Sequence, residues 1–460
     1  MKFTLESLQL ALQAIQQHKG FSGSAILGLS GGMDSIALLN ALTELRDQGK
    51  LGFEFRALHV NHGLQSGAGN WQQLCEKLCA NLSVELKSVA VDIDLVDPQS
   101  SSGLENAARE ARYAVFKQQL QPGEVLLLAH HRDDQMETML LHLMRGSGVK
   151  GLRGIPRTRE VAAGFLFRPL LDFERQAILA YADDRQLLWV EDPSNQDQNF
   201  DRNYCRHTLL PAIESRWPGY RQSWSKTASL AAESEELLAD LAQNDLLDVG
   251  TESAAILRVD RLLLLGSSRR RNVLRHWLGE LNLPELGWNR LQQLSEEVLL
   301  ASDTASITGV GFRLARFKGC LYALRGLEQE LPRESEQNLS WDVAASNKFE
   351  LTGNGSLQAE EVSGGGLAIK HGLEFQIRYR QGGEDFHMAG RPNKSLKKVL
   401  QESEVEPWLR SRVPLLYKDN QLVCVPGIGV SDDYVATAEE PGLHLHWFGP
   451  KFEVNIKSSE

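Results

Sequence analysis

The chain has 460 residues, too many for one hydrophobic core, so two or three domains are expected. Its apolar fraction of 42% and charged fraction of 24% are those of an ordinary folded protein, and nothing in them forces disorder over a long stretch. A net charge of −11 argues against nucleic-acid binding through a global field, but the basic residues cluster. Arg269, Arg270, Arg271 and Arg275 form one group, and Arg391, Lys394, Lys397, Lys398, Arg410 and Arg412 another.

The N-terminal stretch MKFTLESLQLALQAIQQH has the pattern of an amphipathic helix and lacks the apolar core of a cleaved leader. No window approaches the roughly 18 to 20 apolar residues of a membrane span. SAILGL (24–29) reads as a strand, SGGMDS as a glycine-rich turn and IALLNALTELRDQG as a helix. A second strand, FEFRALHV (53–60), ends in Asn61 and His62, and the helix NWQQLCEKLCANL follows. Cys75 and Cys79 lie four apart on that helix and are expected to be buried thiols. VELKSVAV (84–91) reads as a third strand, followed by a polar loop and the helix GLENAAREARYAVFKQQL. EVLLLAH (124–130) reads as a fourth, leading into the helix DDQMETMLLHLMRG. Strands alternating with helices imply an α/β, doubly wound parallel sheet with helices on both faces.

RGSGVKGLRGIPRTRE (145–160), rich in glycine and arginine, reads as a mobile loop able to close over a reacting group. A helix is expected over 172–187, and EDPSNQDQNFDRNYCRH (191–207) is a polar stretch opening another. The expected domains are a catalytic domain at 1–215, a leucine-rich helical middle domain at 216–328, a linker at 329–368 and a small α+β C-terminal domain at 369–460. Five cysteines without a CxxC pair make no disulfide framework, so a reducing, cytoplasmic location is expected.

In a doubly wound sheet, ligands bind beyond the carboxyl ends of the strands. Four polar clusters fall there: Ser30–Ser35, His59–His62, Arg109 with Arg112, and His130–Glu137. In Ser30-Gly31-Gly32-Met33-Asp34-Ser35 the glycines expose backbone N–H groups at a helix N-terminus, which suits an anion. Asp34 would repel phosphate unless Mg2+ bridged the two, so a metal is implied. No GxxxxGK[ST] is present, which excludes the ordinary P-loop.

The SGGxDS hexapeptide resembles the pyrophosphate-loop ATPases, with their adenine nucleotide α-hydrolase-like fold. That resemblance implies ATP cleavage between the α and β phosphates and an adenylated substrate. The series HVNHGL (59–64), ENAAREARY (105–113), AHHRDDQMET (129–138), RGSGVKGLRGI, FRPLL (167–171), EDPSN and DRNYCRH is similar to the tRNA(Ile)-lysidine synthetase family. So is the terminal series IRYRQGGEDF, SLKKVLQE, PWLRSRVPLLY and VCVPGIGV. Gln65 stands where that family often has arginine. The resemblance implies ligation of free L-lysine to C2 of the wobble cytidine of a CAU-anticodon isoleucine tRNA. Adenylated cytidine would be the intermediate, AMP and pyrophosphate the by-products, and the modified tRNA would read AUA codons.

Ser30, Gly31, Gly32, Met33, Asp34, Ser35, His59, Asn61, His62 and His130 are then expected around ATP, with Asp34 as metal ligand. Asp134 and Glu137, three apart, point the same way and would meet Mg2+ or the incoming amine, one of them accepting its proton. His59 and His62 lack a third metal ligand at a familiar spacing, so nucleotide contact or polar packing is expected of them. Glu105 and Arg109 form an i,i+4 pair; Arg112 or Arg109, and Arg206 in the RNxxR group, are candidate clamps on negative charge. Substrate or tRNA contact is expected at Glu105 and Arg109 of the crevice, and RNA phosphates at Arg269, Arg270, Arg271, Lys397, Arg410 and Arg412. A homodimer is left open by the sequence. A tRNA thiolase would need paired catalytic or cluster-binding cysteines, and none are placed for it; a glutaminase-coupled ligase would need a nucleophilic cysteine domain, which this sequence does not show. A module that only senses nucleotide would not crowd its crevice with polar groups.

Overall fold

The structure, a computed structural model, describes residues 2–61, 68–91, 101–302, 304–326, 339–392, 394–452 and 454. His62 and Gln65 lie outside the described residues, as does the side chain of Glu105. Two compact units divide the chain between Leu237 and Leu238.

The first unit is built on a six-stranded sheet. Its elements are α1 (Leu5–Gln16), β1 (Ser24–Gly28), α2 (Met33–Asp47), β2 (Glu54–Asn61), α3 (Ala68–Asn81), β3 (Leu86–Ala90), α4 (Ser101–Gln119) and β4 (Val125–Leu127). There follow α5 (Arg132–Met144), α6 (Val149–Leu152), β5 (Thr158–Val161), β6 (Gly164–Phe167), α7 (Arg175–Asp184), α8 (Asp201–Tyr204), α9 (Leu210–Arg216) and α10 (Tyr220–Val249), whose residues from Leu238 on belong to the second unit. The strand order is β3-β2-β1-β4-β6-β5, parallel except for the edge strand β5.

Successive strand residues face opposite sides. Ala25, Leu27, Val125, Leu127, Phe165 and Phe167 pack with α1, α2, α3 and α7, whereas Ile26, Leu126, Leu128 and Leu166 pack with α4. Both faces are therefore covered, which is why these strands read as unbroken apolar runs. Cys75 and Cys79 are buried in the first of these cores, as expected. The winding reverses between β1 and β4, so the crevice opens where β1 runs into Ser30 and β4 into His130.

The sequence reading missed the β5–β6 hairpin, because its amino-terminal strand lies in the glycine- and arginine-rich stretch. That stretch also holds α6 and is anchored: Gln135 Nε2 donates to Arg153 O at 3.1 Å and His142 Nδ1 lies 2.8 Å from Gly151 O.

In the second unit, β7 (Ile256–Arg258), α11 (Val259–Leu264), α12 (Ser267–Glu280), α13 (Trp288–Gln293), β8 (Ser306–Gly309), β9 (Phe312–Phe317) and β10 (Cys320–Leu324) precede the terminal region. The middle segment, expected to be helical, also carries an antiparallel sheet, β7-β10-β9-β8, packed with α12 through Trp277, Leu274 and Leu314. Residues read as linker form strands as well: β11 (Leu339–Asp342), β12 (Lys348–Glu350), β13 (Ser356–Ser363) and β14 (Leu367–Ala368). With β15 (Glu374–Arg378), β16 (Asp385–Phe386), β17 (Lys394–Ser395), α14 (Leu396–Glu402), β18 (Leu415–Lys418), β19 (Gln421–Val425), β20 (Gly429–Val430) and β21 (Pro441–Phe448) they build the terminal region. Its two main sheets, β11-β15-β18-β19-β20 and β12-β13-β21-β14, share one core of Trp341, Phe375, Ile377, Leu357, Leu443 and Leu445.

At the end of the first sheet opposite the crevice, where the central strands begin, buried Glu124 ties β1, β2 and β4 together. Its carboxylate takes Arg56, accepts from Ser24 Oγ at 2.9 Å and accepts from Gln121 N–H at 3.0 Å. Burial pushes the Glu124 carboxyl upward, but Arg56 and these hydrogen bonds outweigh it and hold it below the ordinary range. Arg56→Ala strands a buried charge and is expected to cost about 3–5 kcal/mol, read as a lower urea midpoint at neutral pH. Because the folded-state pKa is depressed, the stabilisation is present above the carboxylate's unfolded pKa. It fades as pH falls through the lower folded value, so the gap between variant and parent should narrow in acid.

Candidate functional site

The loop after β1 is shaped by its own side chains. Gly31 has φ +86°, in the left-handed region, and a Cβ there would sit 3.3 Å from Cys75 Sγ. Ser35 Oγ donates to Gly32 O at 2.9 Å and lies 3.1 Å from Ser30 Oγ, while Gly32 N–H donates to Ser30 Oγ at 3.3 Å. Gly31 O accepts from Val190 N–H at 3.0 Å, which joins the 190–195 segment to the loop. Gly32 caps α2 without a side chain, so the helix's positive end lies open beside the loop.

A cavity of about 350 Å³ opens over this loop, lined by Ser30, Gly31, Gly32, Asp34, Ser35, His59, Asn61, Trp71, Arg112 and His130, with Leu58, Phe116 and Leu128 as apolar wall. His59 is buried and its Nδ1 lies 2.8 Å from Leu29 O, so the ring donates to the backbone and is a wall of the cavity as well as packing. Asn61 Nδ2 donates to Gln72 Oε1 at 3.2 Å. Met33 is buried in the core behind the loop and presents only its backbone.

The second wall is the start of α5. His131 caps that helix, accepting from Asp134 N–H at 3.3 Å, while His131 N–H donates to Asp134 Oδ2 at 2.9 Å. His131 Nε2 faces Asp34 Oδ2 at 3.6 Å. Burial opposes charge on this ring, but Asp134, Asp34 and Asp133 outweigh it and raise its pKa to about 9. Asp34 Oδ1 is buried and meets no hydrogen-bond donor among the described residues.

Asp134 and Glu137, 8% and 1% exposed, do lie side by side. Arg202 reaches both, Nη2 to Asp134 Oδ1 and Nε to Glu137 Oε2, each at 2.7 Å. Arg206 meets Glu137 at 2.6 and 3.1 Å. Burial pushes the Asp134 carboxyl up, but His131 and Arg202 outweigh it and hold it well below the carboxylate range. His130, one residue before the cap, goes the other way from its neighbour. Burial, with the charges of Arg168, Arg202 and Arg112, overcomes the attraction of Asp134 and lowers its pKa to about 3.

His130 also lines a second cavity of about 600 Å³. Arg109, Arg145, Arg159, Arg168 and Arg202 line it, with Asp201 as the one carboxylate among the described lining residues. Arg109 and Arg159 each lie over the Tyr113 ring, 5.3 and 5.1 Å from its centroid.

The crevice thus brings together Ser30–Ser35, His59, Asn61, Arg112 and His130, while Arg109 belongs to the second cavity and Arg206 to the carboxylate pair. Sequence reasoning missed His131, Arg168, Arg202 and Trp71. Arg202 was findable, lying four residues before Arg206 on one helical face. Among the described residues no group of three His, Cys, Asp or Glu side chains is placed to hold a metal by itself.

The basic clusters of the second unit are largely used internally. Arg270 donates to the carbonyls of Leu262, Leu263, Leu265 and Ser295, and so holds the end of α11. Arg269 pairs with buried Asp245; Arg271 pairs with Glu296 at 2.9 Å and lies over exposed Trp288. Arg412 is buried over Phe452, and Arg410 Nε donates to Val405 O at 2.9 Å. Lys397 is exposed. Arg270 and Arg412 are therefore withdrawn from the expected RNA contacts: the first is spent on carbonyls and the second is buried.

Comparison with known proteins matches residues 5–213 to the PP-loop domain, 257–322 to the TilS substrate binding domain and 375–447 to the TilS substrate C-terminal domain. The tRNA(Ile)-lysidine synthase of Coxiella burnetii is 37% identical over 458 residues, covering 98% of each chain. That of Pseudomonas syringae is 38% identical over 92% of each, and that of Yersinia pseudotuberculosis 37% identical over 94% of this chain and 95% of the other.

Gly31→Ala places a side chain in the left-handed region and against Cys75. It should cost about 1–2 kcal/mol, measured by thermal unfolding. Gly32, at φ −77° with 3.5 Å to Ser30 Oγ, should accept alanine with a much smaller loss.

Proposed function

The chain belongs to the tRNA(Ile)-lysidine synthase family, and from that premise we propose how its two cavities divide the reaction. It is an ATP-using enzyme that forms lysidine at the wobble base of tRNA(Ile). The observation that carries the division is that His130 lines both cavities, the loop cavity on one side and the arginine-lined cavity on the other.

ATP occupies the loop cavity. The open N–H groups of the loop and α2 receive the β and γ phosphates, Arg112 balances their charge, and the apolar wall takes the adenine. Asp34 fits a Mg2+ site: its Oδ1 is buried without a donor, and a magnesium bound by one carboxylate and the phosphates needs no all-protein cage. The ion would neutralise charge on the leaving pyrophosphate.

The wobble cytidine and free lysine enter from the arginine-lined side, whose guanidiniums meet the RNA phosphates. The C2 oxygen of the cytosine attacks the α phosphorus, the bond to the β-phosphate oxygen breaks, and pyrophosphate leaves. The uncharged side-chain amine of lysine then attacks C2, loses a proton, and the C2–O bond breaks with release of AMP. Asp134 is a poor proton acceptor, because His131 and Arg202 hold it ionised. Its part, with Glu137, is to orient the amine, and Arg202 and Arg206 beside them disfavour an ammonium there. Exposed Lys397, together with Arg271 beside Trp288, contacts the tRNA backbone away from the reacting base.

The test is labelled lysine incorporation into unmodified CAU-anticodon tRNA, followed alongside pyrophosphate release. Removing Mg2+ with EDTA should stop both, and so should Asp34→Asn. Arg206→Ala should lower lysine incorporation by about a hundredfold, the scale of removing one charged hydrogen-bond donor from a buried site, with pyrophosphate release much less affected. Pyrophosphate release with another RNA, and no label from lysine, would reject the reading.

A further inference from the structure

We propose that Arg168 is a positioning residue that fixes His130 as the neutral Nε2–H tautomer, making it a hydrogen-bond donor to the reacting phosphoryl group and excluding it as the base that deprotonates lysine. The inference rests on the reading that the reaction passes between the two cavities His130 lines.

Arg168 follows the carboxyl end of β6, beside β4, and is 3% exposed. It is held by its backbone N–H, which donates to Arg157 O at 3.0 Å, by its Nη1, which donates to the Pro156 carbonyl, and by its Nε, which donates to His130 Nδ1 at 3.4 Å. A guanidinium has five N–H donors, no acceptor, and keeps its proton under all ordinary conditions. At this contact Nδ1 can therefore only accept. A neutral imidazole with its lone pair on Nδ1 carries its hydrogen on Nε2. A second proton would have to sit on Nδ1, against the guanidinium and close to Arg202 and Arg112, which agrees with the depressed pKa of the ring. His59 shows the contrasting arrangement: its Nδ1 faces the Leu29 carbonyl and so must carry the hydrogen.

The consequence is chemical. As the cytosine oxygen bonds to phosphorus and the pyrophosphate oxygen departs, negative charge gathers on the α-phosphoryl oxygens. An Nε2–H donor stabilises that charge without giving up its proton, so no proton need be returned before the second step. The proton of the amine must go elsewhere, since neither nitrogen of His130 is free to take it.

The first test is the tautomer itself, read from a two-bond 1H–15N spectrum of the full chain labelled at histidine, with His130→Gln used for assignment. An unprotonated Nδ1 and protonated Nε2 between pH 6 and 8 are expected; a protonated Nδ1 would overturn the proposal. The second is single-turnover pyrophosphate release. A glutamine amide places an N–H donor near the Nε2 position, so His130→Gln should exceed His130→Asn. Arg168→Met should slow the step by about tenfold or more, equivalent to about 1.4 kcal/mol, with the KM for ATP nearly unchanged. In the His130→Gln background the same substitution should cost far less. Equal losses in both backgrounds would make Arg168 merely structural and reject the proposal. If Arg168→Met does not fold, the wild-type spectrum and the Gln–Asn pair decide alone. The expected spectrum in a protein that releases no pyrophosphate with the tRNA would reject the role given to His130 and the reaction reading, and leave the tautomer standing.

Discussion

The imidazole of His131 joins two parts of the molecule that are about a hundred residues apart in sequence. On one side it caps α5 and accepts from Asp134 N–H; on the other its Nε2 faces the carboxylate of Asp34, in the first turn of α2. Because the ring is buried, its two nitrogens have no water to fall back on, and each partner constrains the other. The glycine-rich loop after β1 and the helix that carries Asp134 and Glu137 are thereby held in register. Adding a proton to Nδ1 would break the cap, so the charge favoured by three nearby carboxylates competes with the geometry that the cap supplies.

Adjacent to it, His130 is driven the opposite way. Two consecutive histidines at one strand end thus take different electrostatic characters, one surrounded by carboxylates and the other by guanidiniums. Environments that split the behaviour of like groups mark sites of proton and phosphoryl chemistry. The remaining charges complete the pattern. Asp134 and Glu137 are buried but matched by Arg202 and Arg206, so their desolvation is offset, and among the described residues the arginine-rich wall of the larger cavity is left with one carboxylate of its own.

Much of the first unit was legible because its signals are local. A strand that runs into Ser30-Gly31-Gly32-Met33-Asp34-Ser35 and a helix behind it define the loop within a dozen residues, and the His130–Glu137 cluster repeats the arrangement at the next strand. What stayed hidden depends on pairings distant in sequence. Thr158–Val161 is four residues long and mostly exposed, so only its pairing with β6 reveals it as a strand. Ser356–Ser363 alternates inward and outward residues, yet its polar outer face made it read as linker. The sheet of the middle segment was masked by the leucine-rich helices around it. Arginine counts were the least informative signal. Arg270 and Arg271 are neighbours, but one meets a set of carbonyls and the other an exposed tryptophan, and only the packing of α12 decides between them.

The two cavities imply a single fate for one oxygen atom. If the cytosine C2 oxygen bonds to the α phosphorus on the loop side of His130, and lysine displaces it from the other side, that oxygen must leave on AMP. The direct measurement uses CAU-anticodon tRNA carrying 18O at C2 of the wobble cytidine, one turnover with ATP, Mg2+ and lysine, and mass spectrometry of the products. Recovery of the label in the phosphate of AMP is the expected result. Label released to water or found in pyrophosphate, with lysidine still formed, would contradict the adenylated intermediate and the division of labour between the cavities.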